Sequence, residues 1–117
     1  MNYLLLVYRE EAQGEMEHGA MEDCGGLAER LHHSGHYVAG GILQPVSTAT
    51  SVQVRQGSRM ITDGPFAETR EQLAGYMLIE ARDLDEAIDI AAQHPVAAVG
   101  TLEIRPLREI PSFGGPT

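Results

Sequence analysis

The sequence predicts one small α+β domain running strand, helix, strand, hairpin, strand, helix, strand. Three observations carry this prediction. Strand-length apolar runs stand near both ends, two stretches repeat apolar residues at helical spacing, and a glycine-punctuated pair of β-branched segments lies between them. At 117 residues the chain can bury one core and not two.

Residues 3–8 (Tyr-Leu-Leu-Leu-Val-Tyr) form an apolar run expected to be a strand buried on both faces. Residues 9–15, polar and including Gly14, read as a loop. From about Glu15 the period changes: Ala20, Cys24, Leu27, Ala28 and Leu31 share one helical face. Gly25-Gly26 interrupts that helix at a cost of about 2 kcal/mol relative to two alanines, which suggests close packing there. Gly35 supplies its stop.

Tyr37 to Leu43 is the second strand, with Gly40-Gly41 weakening it or marking a bulge. Pro45 and the Ser/Thr run to Ser51 make a loop. Val52, Val54, Met60 and Ile61 flank Gln56-Gly57-Ser58, a hairpin signal. Asp63-Gly64-Pro65-Phe66 is a turn, and polar residues 67–74 form a short helical turn or an extended loop. Residues 75–81 make the next strand, with Tyr76 and Leu78 on one side and Met77, Ile79 and Ala81 on the other. Asp83 with Glu86 matches an N-terminal cap, and Leu84, Ala87, Ile88, Ala91 and Ala92 follow at helical spacing. His94 precedes Pro95, so this helix ends near Gln93. Thr101 to Leu107 is the last strand. Residues 1–109 form the domain, and 110–117 a Gly/Pro-rich tail.

Two split βαβ halves in this order give the ferredoxin-like arrangement, an antiparallel sheet with both helices on one face. Its other face is also apolar and needs cover, so a homodimer packed sheet against sheet is expected.

A net charge of −9, from 17 acidic and 8 basic side chains, disfavours direct nucleic-acid binding, which relies on cations. Arg55 and Arg59, beside the hairpin turn, are too sparse to form a basic stripe. No apolar run approaches the roughly 20 residues that span a bilayer. The single cysteine, Cys24, fits a reducing compartment, so a cytoplasmic protein without a signal peptide is expected. Cys24 reads as a small core residue rather than a nucleophile. No nucleophile elbow, phosphate loop or dinucleotide fingerprint is present, and no metal or cofactor is expected.

The stretch Thr62-Asp63-Gly64-Pro65-Phe66-Ala67-Glu68-Thr69, continuing through Glu71-Gln72-Leu73 to Gly75-Tyr76, resembles the DGPF signature of the YCII-related family. So do Gly41 to Pro45, Thr48-Ala49-Thr50, Asp83 to Ala87, His94-Pro95 and Glu103 to Leu107. Together these motifs cover residues 2–107. The resemblance implies a dimeric α+β barrel of ferredoxin-like protomers. Some family members look like small lyases, including dehydrochlorinases of chlorinated hydroquinones; others are linked to sigma factors. A His/Asp pair is the suggested acid–base element of the smaller branch, and this chain has His94 where that branch tends to have Asp-Pro.

Each candidate residue has two readings. Asp63 either accepts backbone N–H groups in its turn, with Gly64 at an unusual φ, or is a general base. His94 either caps helix carbonyls as an imidazolium or shuttles protons with Asp63 or Glu68 holding its tautomer. Arg105, on the strand face opposite Leu102 and Ile104, is a surface ion pair or an anion clamp. Glu68 and Arg70 lie on a loop face, unless Glu68 shares a cavity with Asp63. Phe66 and Tyr76 would contact an aromatic ligand; Tyr3, Tyr8 and Tyr37 serve packing equally well. His18, His32, His33 and His36 are solvated or lightly packed and lack a metal-ligand pattern.

Two function classes stay open. One is cofactor-independent acid–base chemistry of lyase or isomerase type, or binding, on a small aromatic or anionic molecule. The other is a non-catalytic dimeric module associated with transcription initiation.

Overall fold

The computed structural model describes residues 1–11 and 18–108, with the backbone alone for 18–24. Its elements are β1 (Asn2–Arg9), α1 (His18–His33), β2 (Tyr37–Ile42), β3 (Thr50–Arg55), β4 (Ser58–Asp63), β5 (Gln72–Glu80), α2 (Leu84–Ala92) and β6 (Thr101–Pro106). The anticipated tail, loop residues 12–15 and the side chains of His18, Ala20, Met21 and Cys24 fall outside the described residues.

Four strands form one antiparallel sheet in the order β2-β5-β1-β6, and β3-β4 stand apart as a hairpin. This is the ferredoxin-like order with a hairpin inserted between its second and third strands. Alternation along β1 divides the sheet. Tyr3, Leu5 and Val7 are buried beneath the helices with Leu27 and Leu31 of α1, Ala87, Ile90 and Ala91 of α2, and Met77 and Ile79 of β5. Leu4, Leu6 and Tyr8 point to the opposite, helix-free face and are half-buried. Leu5, Leu27 and Ile79 are the largest fully buried side chains. Each stabilises the fold by about 2 kcal/mol through burial alone.

Helix ends follow their local chemistry. Asp83 Oδ1 accepts the Glu86 N–H at 2.9 Å, the cap that the sequence predicts. At the end of α1, the Gly35 N–H bonds His32 O and the His36 N–H bonds Leu31 O, a Schellman closure. Gln56 and Gly57 both have positive φ, 52° and 79°, the condition of a type I′ hairpin turn.

Three expectations change. The strand expected at 75–81 starts earlier, at Gln72, because Leu73 and Gln72 pair with Tyr8 and Arg9 beyond a register shift. Gly25-Gly26 does not mark close packing: a Cβ on Gly25 would meet nothing within 4 Å, and one on Gly26 only Arg30 Nη1 at 3.6 Å. Gly40 and Gly41 make room for aromatic rings, since a Cβ there would come within 2.9 Å of the Tyr37 hydroxyl and 3.1 Å of Tyr76 Cε1.

The tightest approach is at Gly100, where a Cβ would lie 2.1 Å from Tyr8 O and 2.9 Å from Val96 Cγ1. Gly100→Ala must therefore displace backbone, at a cost of about 1–3 kcal/mol, lowering Tm by roughly 5–15 °C in thermal melts. Gly25→Ala, in open space on a helix, raises stability by about 1 kcal/mol in the same assay. An unchanged Gly100→Ala melt contradicts the packing described.

Candidate functional site

Antiparallel pairing gathers charge at one end of the sheet. β1 runs out at Arg9, opposite Gln72 at the start of β5, and Tyr8 lies opposite Thr101 at the start of β6. Glu10, Arg70 and Glu71, separated by sixty residues of chain, thus meet there and, with Val99, line an open polar cleft of ≈ 500 Å³. Arg70 Nε donates to Glu10 Oε1. That hydrogen bond and the Glu10 charge raise the guanidinium pKa further above its ordinary value. Thr101 Oγ1 donates to Glu71 Oε1 at 2.8 Å, tying the cleft wall to β6. Nearby, Glu11 Oε1 accepts the Val46 N–H at 2.8 Å and holds the segment after β2 against the end of β1.

His94 sits on the helix-covered side, between α2 and a 3-10 turn at Pro95–Ala98. It is 8% exposed, and its Nδ1 accepts the Val96 N–H at 3.1 Å. An acceptor Nδ1 fixes the neutral ring as the Nε2–H tautomer. Burial pushes its pKa below the ordinary histidine value. The imidazolium cap on α2 carbonyls is therefore corrected: His94 is a neutral cap for the turn that follows.

The other candidates do not converge on His94. Asp63 ends β4 and is exposed, and no hydrogen bond or ion pair joins it to His94. Gly64 has the unusual φ, +98°, and the turn is held by the Gly64 N–H to Ala49 O and by Ser51 Oγ to Gly64 O. Among the described residues the Asp63 carboxylate accepts none of these bonds, so the Asx-turn reading fails: strand pairing holds the turn. Phe66 is 87% exposed, and Glu68 is exposed beside it. Arg105 and Tyr76 lie on the helix-free face, opposite to the side that His94 occupies. Arg105 pairs with Glu103 at 3.2 Å, the surface ion pair that the sequence offered as one reading.

Two groups of residues were missed. Arg70 lies on an exposed loop, as expected, and from there lines the cleft with Glu10 and Glu71. His36 is not merely solvated. Its Nε2 lies 3.2 Å from Glu86 Oε1 and its Nδ1 2.6 Å from Ser34 Oγ, joining the end of α1 to the start of α2. Ser34 Oγ donates to Leu31 O, so this array is a staple rather than an activated nucleophile. Glu86 also accepts the Arg82 N–H and faces the Arg82 guanidinium and His36, and its carboxyl pKa falls below the usual range. Among the described residues no group of three His, Cys, Asp or Glu side chains converges to hold a metal.

The model of the YCII-related domain family matches residues 1–111. An uncharacterized protein of Rhizobium meliloti (strain 1021) is 33% identical over 114 residues, 92% of each chain. Among solved structures, the fold is similar to 5-chloro-2-hydroxyhydroquinone dehydrochlorinase (TftG) from Burkholderia phenoliruptrix AC1100, in complex with 2,5-dihydroxybenzoquinone. The TM-score is 0.57 at 12% identity, covering 92% of this chain and 94% of that one.

The buried His94 sets a pH dependence. Its pKa is ordinary, near 6.5, when unfolded and lower when folded. The unfolded chain therefore takes up the proton first, and stability falls as pH drops through about 6.5 until native His94 itself protonates. His94→Asn keeps an acceptor for the Val96 N–H without the titration. Its Tm should decline less than that of the wild type between pH 7.5 and 5.5, and parallel declines would refute the assignment.

Proposed function

The chain belongs to the YCII-related domain family, and from that premise we propose that it binds a small hydroxylated aromatic or otherwise anionic molecule in the cleft at the end of the sheet and moves protons on it without a cofactor. The observation that carries this reading is the convergence of Arg70, Glu10 and Glu71 on one open polar cleft. A guanidinium held charged offers a planar fork to a phenolate or carboxylate. The carboxylates beside it supply the proton acceptor, Glu71 being oriented by Thr101. The likeness in fold to a dehydrochlorinase holding 2,5-dihydroxybenzoquinone supports the substrate class and not the residues.

In this reading Arg70 takes the anion-clamp role first assigned to Arg105, which lies on the helix-free face and does not line the cleft. Asp63 and His94 enter as the original acid–base pair only if a second chain brings Asp63 to the site. In one chain the two residues lie on separate elements with no bond between them. His94, buried and capping the turn through Nδ1, serves the fold rather than the proton transfer.

A homodimer packed sheet against sheet is part of the proposal. Leu4, Leu6 and Leu78 are half-buried and Tyr76 exposed on a face that no helix covers. Among the described residues no helix is long and apolar enough to cross a membrane, and we place the protein in the cytoplasm.

Spectrophotometric titration with 2,5-dihydroxybenzoquinone and related hydroxyquinones tests the reading. Arg70→Gln should weaken binding by about ten- to a hundredfold, the worth of a charge-assisted hydrogen bond. Glu71→Gln should reduce turnover more than binding. If no member of the series binds the wild-type protein, or if Arg70→Gln binds as the wild type does, the cleft is not the site.

A further inference from the structure

Among the described residues the β3–β4 hairpin pairs with no other strand of its own chain. Residues alternate across it, so Val52, Val54 and Ile61 share one face with Arg59, and Gln53, Arg55 and Met60 occupy the other. Val52, Val54 and Ile61 are between 56% and 61% exposed, and Met60 is exposed as well. Its strands pair only with each other, and every residue of β4 is exposed. An isolated two-stranded hairpin is marginally stable at best in water, and an apolar face left wet adds to that cost. The radius of gyration is 16.0 Å, against about 13 Å for a compact chain of this length. The hairpin is built like an arm that reaches away from the body.

Charge indicates what the arm meets. The chain carries −9 overall, yet the hairpin bears Arg55 and Arg59 at its turn, with Asp63 alone opposing them at its base. Other arginines of the chain are neutralised at home: Arg70 by Glu10, Arg82 by Asp83 and Glu86, and Arg105 by Glu103. Among the described residues Arg55 and Arg59 make no ion pair, and Arg55 donates only to its neighbour's carbonyl, Val54 O. A cationic tip with an apolar face fits an acidic surface with apolar ground. A second copy of this chain presents the acidity: outside the hairpin its residues carry a net charge of −10, from 16 acidic and 6 basic side chains.

We propose that the β3–β4 hairpin is a clasp that docks on a second copy of this chain, burying Val52, Val54 and Ile61 and setting Arg55 and Arg59 against that copy's carboxylates. The clasp rests on the proposed homodimer and extends it. Each arm springs from the end of the sheet that holds the cleft, because the segment between β2 and the hairpin is bonded to Glu11 there.

Sedimentation equilibrium separates the clasp from the dimer on which it rests. Wild type and the exposed-tip variant Arg55→Glu/Arg59→Glu, which leaves the core untouched, are compared at low and high salt. The clasp requires a wild-type dimer whose Kd rises about tenfold or more in the variant at low salt, with the gap narrowing as salt screens the charges. A wild-type dimer with an unchanged Kd in the variant overturns the clasp and leaves the dimer standing. A monomeric wild type removes both. Spin labels on Gln56→Cys in a Cys24→Ser background, diluted with unlabelled chain, give the second reading. A narrow tip-to-tip distance that vanishes on dilution supports docking across copies, and a broad distribution in the dimer shows arms that await some other partner and overturns the clasp.

Discussion

Antiparallel pairing of β1 between β5 and β6 is the constraint from which the rest of the molecule follows. It sets Tyr3, Leu5 and Val7 beneath the helices and sends Leu4, Leu6 and Tyr8 to the other face, because neighbouring side chains on a strand cannot share a side. It also decides what meets at the strand ends. Glu10 and Glu71 belong to distant parts of the chain, and only the register from Arg9 opposite Gln72 brings them to one cleft. Gly100 completes the junction: its hydrogen atom sits where any side chain would strike Tyr8 O, so β6 enters the sheet tight against β1. Core, open face and cleft are three consequences of one pairing.

Much of the fold was legible because its signals are local. Apolar runs of strand length marked β1 and β5, the 3.6-residue period marked α1 and α2, and Asp83 with Glu86 marked a helix start that the structure shows bonded as expected. The hairpin was legible from Gln56-Gly57 for the same reason. Glycines were read less well, since a glycine's purpose is often a neighbour distant in sequence. Gly25 has no close neighbour, whereas Gly40, Gly41 and Gly100 are pressed by Tyr37, Tyr76 and Tyr8.

The site was legible least of all. Asp63, Phe66 and Glu68 drew attention because they lie in a recognisable motif, yet all three are exposed on or just after the hairpin. Arg70 read as a loop-face residue and Glu10 drew no attention, because nothing in the neighbourhood of Glu10 foretells an arginine sixty residues later. His94 shows the same limit from the other direction. Its position before Pro95 suggested a helix end, but its neutrality follows from burial and from the Val96 N–H, which only tertiary packing supplies. Membership of the YCII-related family narrows the architecture and leaves the chemistry to be argued from the site.

The hairpin has a further consequence, for the order in which the chain folds. β2 must find β5 across residues 43–71, a long closure for an antiparallel pair. A hairpin with a favourable turn forms in about 1–10 μs, well before most tertiary contacts. Once Ala49 and Gly64 are joined at its base, the chain left to close is roughly half as long, and the entropic cost of pairing falls by about 0.6 kcal/mol. The excursion that lengthens the sequence thus shortens the closure in those chains whose hairpin has formed, and the Gln56-Gly57 turn bears on that fraction.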